Sequence, residues 1–277
     1  MEYSPRKMNE LLDSNDFKFK KKFGQNFIVD KNVIDKIIFE SGVSKDTMVI
    51  EIGPGAGSLT YKLANSSRNV LCYEIDETLK DILSSNLNGL SNVDIKFCDF
   101  LNCDVLGDLK KYSYDKLFVV ANLPYYITTP IIMKIIEDRV PVDKIVVMVQ
   151  KEVGDRFKAL PGSKDYGSLS IFLNYYFDVV KLMDISRNIF IPKPNVDSIV
   201  VEFRRKSKNF SLKDEDLFFK LVRDSFKQKR KTIRNNLNGY DLDIIGDVLS
   251  RYGFDLSVRA EALSIDVFVD IANNLTK

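Results

Sequence analysis

Residues 121 to 132 read ANLPYYITTPII, directly after KLFVV, an apolar run that reads as a buried strand. An amide, a proline and two tyrosines therefore stand where a strand ends. A turn needs the Asn or the Pro; it does not need the tyrosines. These residue types suit chemistry on a flat ring that bears an amine. The exocyclic amine of adenine is conjugated, so its lone pair is spread into the ring and attacks poorly. Two hydrogen-bond acceptors can hold the amine protons and favour a tetrahedral nitrogen. The side-chain oxygen of Asn122 and the backbone carbonyl of Pro124 can serve as that pair, and proline fixes φ and stiffens the loop. The ring of Tyr125 can stack on the base, worth roughly 1–3 kcal/mol. The competing reading of NLPY is a turn with two tyrosines packed into the sheet edge.

A second cluster lies upstream. The run TMVIEIG leads into EIGPGAGSLT, with glycines at 53, 55 and 57. Glycine lets backbone come close to a ligand and take positive φ. The dinucleotide fingerprint GxGxxG would place its third glycine at residue 58, which is Ser58. The pattern is instead ExGxGxG, led by Glu51, and it resembles motif I of the S-adenosylmethionine-dependent methyltransferases. The next strand-like run ends in YEID, where Glu74 can accept hydrogen bonds from both ribose hydroxyls. The following one ends in CDF, where Asp99 can accept from an adenine amine. A methyl group on a sulfonium needs in-line positioning more than a tuned base. That agrees with a chain of 277 residues that has no histidine and so no Ser-His-Asp or Cys-His chemistry.

The elements that must carry these groups follow from periodicity. Strands are expected at 47–53, 69–76, 93–99, 116–122 and 144–150, with helices at 58–66, 77–87, 129–138 and 151–159. Alternation of this kind implies parallel pairing through right-handed crossovers, a doubly wound α/β sheet. After residue 165 comes a helix, YGSLSIFLNYYF, then strands at 177–186 and 197–205, an antiparallel pair that closes the sheet. From Lys206 the strand signal fades and helices dominate. The expected domains are 1–205, holding the α/β chemistry, and 206–277, small and all-α. LFFKLVRDSFKQKRKTIRNNL, residues 217–237, reads as one helix. In it Leu217, Leu221 and Ile233 point inward, while Lys229, Arg230 and Arg234 point outward.

Composition is that of an ordinary soluble globular protein, with 45% apolar and 29% charged residues. The first 23 residues lack the apolar core of a signal peptide, and no 18 consecutive residues are apolar, so neither export nor a membrane span is expected. Three cysteines, Cys72, Cys98 and Cys103, without a CxxC pair argue against a disulfide framework and a zinc site, and fit a reducing cytoplasm. No metal ligand set is expected. Net charge is only +2, yet Arg204 to Arg234 hold 12 Lys and Arg against 4 Asp and Glu, so the rest of the chain is net acidic. That asymmetry points to a basic patch for a polyanion, against the plainer reading of a solvated face. Within it Lys227, Lys229, Arg230, Lys231 and Arg234 are the expected RNA contacts.

Taken together, KKFGQNFIVD, GPGAG, NLPYY, PGSKDYGSLS and FIPKPNVDSIVVEF resemble the small-subunit ribosomal RNA adenine dimethyltransferases, from about Lys21 to Leu237. The resemblance implies a class I S-adenosylmethionine-dependent methyltransferase: a Rossmann-like, mainly parallel sheet with an antiparallel last strand, followed by a small helical domain that binds RNA and the ribosome. It implies dimethylation of two adjacent adenosines near the 3′ end of small-subunit rRNA, within an immature subunit, by a cytoplasmic monomer. Carried over by motif, Asn26, Ile28, Glu51, Gly53, Gly55, Glu74, Asp99 and Asn122 should touch the cofactor. Tyr125 and Phe190 should sandwich the target base. The rivals are a large-subunit rRNA adenine methyltransferase of the macrolide-resistance type and a non-catalytic assembly factor with the same fold. A DNA adenine methyltransferase is disfavoured by Leu123, where its motif carries proline, and a dehydrogenase by Ser58.

Overall fold

The computed structural model of the protein describes residues 5–15, 17–20, 23–207 and 210–276. Lys21 and Lys22, at the head of the KKFGQNFIVD motif, lie outside these residues. Among the described residues nine strands form two sheets. They are β1 (Phe27–Ile28), β2 (Thr47–Ile52), β3 (Asn69–Glu74), β4 (Val93–Phe97), β5 (Lys116–Asn122), β6 (Lys144–Gln150), β7 (Phe177–Ile185), β8 (Phe190–Ile191) and β9 (Ser198–Arg205). The large sheet runs β4-β3-β2-β5-β6-β9-β7, and β1 pairs with β8 in a two-stranded ribbon.

The central strands are parallel, with Ile50 of β2 in register with Leu71 of β3 and Val119 of β5. All six residues of β2 are buried. Such runs, apolar on both faces, mark strands covered by helices on each side. β9 runs antiparallel to β6, pairing from Lys144 with Arg204 to Gln150 with Ser198. The mainly parallel sheet with an antiparallel late strand is thus the α/β architecture expected.

Helices fall where apolar periodicity and caps put them. Lys31–Ser41 starts at Asp30, whose carboxylate accepts from the Asn32 and Val33 amides, and stops at Gly42 with φ 68°. Thr128–Glu137 buries Ile131, Ile132, Ile135 and Ile136, one face at helical spacing. Strand order reverses between β2 and β5, so their carboxyl ends open a crevice where ligands bind in open α/β sheets.

The chain divides into two compact units: residues 1–154 with 180–204, and residues 155–179 with 205–277. The second therefore includes the helix Ser168–Tyr176, which precedes β7 in sequence. Its core is aromatic, with Phe172 stacked on Phe219 at 4.5 Å.

One expected helix is shorter than the pattern suggested. Glu215–Phe226 ends before the basic run, and in the rest of the 217–237 stretch only Ile233–Asn236 is helical. The cause is tertiary. Asn236 Nδ2 donates to the carbonyls of Ser225 (2.7 Å) and Gln228 (3.2 Å), satisfying groups a continued helix would use. Thr232 forms an antiparallel bridge with Arg259. Arg230 and Arg234, four apart in sequence, therefore do not share one helix, and neither do Lys227 and Lys231. Leu221 and Ile233 are buried as expected, and all five cations of the run are exposed.

The cysteines also differ from expectation. Cys98 and Cys103 are paired as a disulfide, and Cys72 is free and buried. The short turn Phe100–Asn102 brings the two together, a closure that five-residue spacing alone did not suggest.

Candidate active site

A cleft with about 710 Å³ of empty space, open solvent included, lies at the carboxyl ends of β2, β3 and β5. Its walls include Asn26, Ile28, Glu51, Gly53, Gly55, Ser58, Glu74, Asn122, Pro124 and Tyr125. Residues from four separate stretches of sequence thus meet in one place.

The glycine loop shapes the floor. Gly53 and Gly55 sit at φ 72° and 59°, which side-chain-bearing residues rarely adopt. A Cβ on Gly55 would also stand 2.9 Å from the Phe27 ring. Glu74, at the end of β3, is held by two backbone amides. Its Oε2 accepts from Gly55 N at 3.1 Å and its Oε1 from Asp76 N at 2.9 Å. Each oxygen keeps a further lone pair for a ligand hydroxyl. Burial pushes the Glu74 carboxyl up to about 7, against the two amide bonds that stabilise its charge. Glu51 is more deeply buried, and burial raises it to about 8, with the nearby Glu74 charge adding to the effect. The Ser58 hydroxyl is buried on the same wall and has no hydrogen-bond partner among the described residues.

The opposite wall is the NLPYY loop. Asn122 ends β5, and its Nδ2 donates to the backbone carbonyl of Asn26 at 2.8 Å. That bond sets the amide's orientation and leaves Oδ1 as an acceptor on the cavity wall. Asn26 is fixed in turn by its own Nδ2, which donates to Gly24 O at 3.0 Å. The Pro124 carbonyl accepts from Ile127 N and from Thr128 Oγ1, both at 3.2 Å. The Tyr125 hydroxyl lies 2.9 Å from Ser198 Oγ.

Two expected site residues do not line the cavity. Asp99 caps the turn that follows β4, accepting from Leu101 N at 3.0 Å and Asn102 Nδ2 at 3.2 Å. Phe190 pairs with Ile28 across β1 and β8 and is buried in a hydrophobic cluster with Ile28, Met183 and Ile185.

The fold agrees with the comparisons. The chain matches the ribosomal RNA adenine dimethylase family over residues 16–277. It belongs to that family. It is 45% identical to the ribosomal RNA small subunit methyltransferase A of Macrococcus caseolyticus, an alignment spanning 100% of this chain and 98% of that protein. It is 44% identical to the protein of the same name from Staphylococcus carnosus, over 99% and 96% of the two chains. Among solved structures, a dimethyladenosine transferase from Plasmodium falciparum aligns with a TM-score of 0.72 at 25% identity, over 88% of this chain and 95% of that one. The 23S rRNA methyltransferase ErmE shares the fold, with a TM-score of 0.65 at 24% identity over 91% and 100% of the two chains.

Several residues of this methyltransferase site were not singled out by sequence reasoning. Asp76 is the main one. Its buried carboxylate accepts from Lys20 Nζ at 2.6 Å and Gln25 Nε2 at 2.7 Å, while its own amide holds Glu74. It thereby ties the segment that supplies Asn26 to the end of β3. The signal was present in YEID, where Asp76 follows Glu74 at strand spacing. Ser58 was noted only as a departure from the dinucleotide fingerprint, and Thr128 and Ser198 carried no such signal, because their roles depend on burial or on partners elsewhere in the chain.

The residues present fit S-adenosylmethionine. A glycine cradle, a buried carboxylate with two open lone pairs and an orphaned hydroxyl are what a polar, ribose-bearing ligand would engage. Among the described residues no helix is long and apolar enough to cross a membrane.

Proposed function

We propose that the protein dimethylates the exocyclic amines of two adjacent adenosines near the 3′ end of small-subunit rRNA, using S-adenosylmethionine. It acts as a cytoplasmic monomer on the immature small subunit. The observation that carries this reading is the fixed amide of Asn122, a cavity-lining residue whose Nδ2 donates one hydrogen to Asn26 O, which leaves Oδ1 as an acceptor.

When bound, S-adenosylmethionine supplies an electrophilic methyl group on a sulfonium sulfur. Glu74 accepts from the ribose hydroxyls, and Gly53 and Gly55 let backbone approach the ligand. Glu51 and Ser58 offer polar partners for its remaining groups. Asn122 Oδ1 accepts one proton of the target amine and the Pro124 carbonyl accepts the other. Those two contacts favour a tetrahedral nitrogen, whose lone pair is localised on that atom instead of spread into the ring. The Pro124 carbonyl already accepts two long bonds, so it takes the amine proton by sharing or loosening one of them. Tyr125 offers its ring to the base. Exact placement, not a tuned base, carries the step. Lys227, Lys229, Arg230, Lys231 and Arg234 hold rRNA phosphates, which fix register without reading sequence.

Mass spectrometry of adenosines tests the reading. Small-subunit rRNA, free and within immature subunits, is incubated with enzyme and S-adenosylmethionine, and large-subunit rRNA is treated in parallel. Two dimethyladenosines in the small-subunit RNA are expected. Methylation confined to large-subunit RNA would favour the macrolide-resistance type of activity, and no methylation of either would favour a binding role.

A further inference from the structure

Tyr125 and Tyr126 are adjacent but differently held. Tyr126 is 55% exposed, whereas Tyr125 is half-buried and bonds through its hydroxyl to Ser198 Oγ at 2.9 Å. Ser198 is 1% exposed and opens β9, in register with Gln150 of β6. Its position is fixed from behind as well. The carbonyl of Asp197 accepts from Lys151 N at 3.2 Å, and the Asp197 carboxylate accepts from Arg187 N at 3.0 Å. The NLPYY loop meets the same strand pair a second time, through Leu123 N to Met148 O at 3.2 Å. Burial raises the Tyr125 hydroxyl above its usual range, so it stays protonated and able to bond. A ring anchored only at its Cα can tilt and swing; one also held at its tip has its plane set.

We propose that Ser198 is a positioning residue for methyl transfer: its hydroxyl, fixed in the β6–β9 ladder, holds the Tyr125 phenol and so sets the plane on which the target adenine stacks. This inference rests on the reading that Tyr125 stacks on the base. It gives the VDS end of the FIPKPNVDSIVVEF segment a task in the reaction. It also explains why a tyrosine stands at 125, where a phenylalanine would offer the same stacking area.

The test is single-turnover methyl transfer at saturating RNA and S-adenosylmethionine, with cofactor affinity measured separately. Tyr125→Phe and Ser198→Ala should each slow transfer about three- to tenfold, the worth of one neutral hydrogen bond. The double variant should be no slower than either single one, because both remove the same bond. Cofactor affinity should stay within about twofold. Should Ser198→Ala fail to fold, Tyr125→Phe decides alone, since it deletes one oxygen and keeps the ring. Tyr125→Ala separates the two ideas. If it transfers at the wild-type rate, the stacking reading falls. If it is slow while Tyr125→Phe and Ser198→Ala are unimpaired, or if their losses add, the role of Ser198 falls and stacking stands.

Discussion

The cavity wall and the basic run differ in how they are built. Glu74, Asn122 and Tyr125 are each held by a specific bond to a partner remote in sequence. The cations from Lys227 to Arg234 are exposed and lie mostly outside any helix. Among the described residues, the one side-chain hydrogen bond of these cations is that of Lys229, which donates to Lys164 O at 2.7 Å. Chemistry on a ligand needs sub-ångström placement, and burial with paired bonds supplies it. Phosphate attraction acts over a Debye length, so loosely held charges suffice. Perturbing the wall should therefore cause large, salt-independent losses, while perturbing the run should cause graded, salt-dependent ones.

The largest effect is expected at Phe190, which supports the wall from within the core. Phe190→Ala should lower folding stability by about 3–5 kcal/mol, the usual cost of emptying a buried phenylalanine site. Denaturant unfolding would measure it. A fully stable variant that fails only in base binding would instead move Phe190 to the cavity, beside Tyr125.

Next comes Asn122. Asn122→Ala should slow single-turnover methyl transfer about 10²- to 10³-fold, the range for removing one positioned hydrogen-bonding group from a reaction site. Cofactor affinity should fall far less. Equal losses in both would make Asn122 a cofactor ligand rather than an amine clamp.

Glu74 should show its role through pH. Its carboxyl is raised to about 7 by burial, and only the charged form accepts from both ribose hydroxyls. Calorimetric affinity for S-adenosylmethionine should weaken as pH falls from 8 to 6, and Glu74→Gln should flatten that dependence. Stability carries the opposite sign. Glu51 and Glu74 ionise near 4.5 in the unfolded chain but near 8 and 7 when folded. The folded protein keeps protons that the unfolded chain has lost, so stability falls as pH rises from about 4.5 to 8. Glu51→Gln should remove part of that fall, as thermal melts across this window would reveal.

The smallest effect is expected in the basic run. Neutralising Lys229, Arg230 and Arg234 together should reduce the salt slope of RNA binding by about 2 to 3, at roughly 0.7–0.9 per lost phosphate contact. Cofactor affinity should be unchanged. An unaltered slope would make the run a solvated face.

Much of the fold was legible because buried strands and amphipathic helices announce themselves locally. The runs at 58–66, 116–122 and 144–150 begin and end where the apolar pattern does. The pattern overran at 217–237, since side-chain periodicity does not register Asn236 capping Ser225. In the site, residue types with a single chemical use stood out: the glycines, Glu74, Asn122 and Tyr125. Asp99 was read from its strand end and Phe190 carried over by motif; in the fold the one also caps a turn and the other also packs in the core.

By itself the sequence determined the α/β alternation, the glycine loop with its acidic strand ends, the absence of histidine chemistry and the uneven spread of charge. All of these are properties of neighbours in the chain. Only the tertiary structure decided which way the Asn122 amide faces, through a partner 96 residues away, and what holds the Tyr125 ring, 73 residues away. The same holds for Asp76, which joins Lys20 and Gln25 to the cavity floor. Composition and periodicity report the free energy of burying a segment, whereas a hydrogen bond between remote groups exists only after the sheet has brought their strands together.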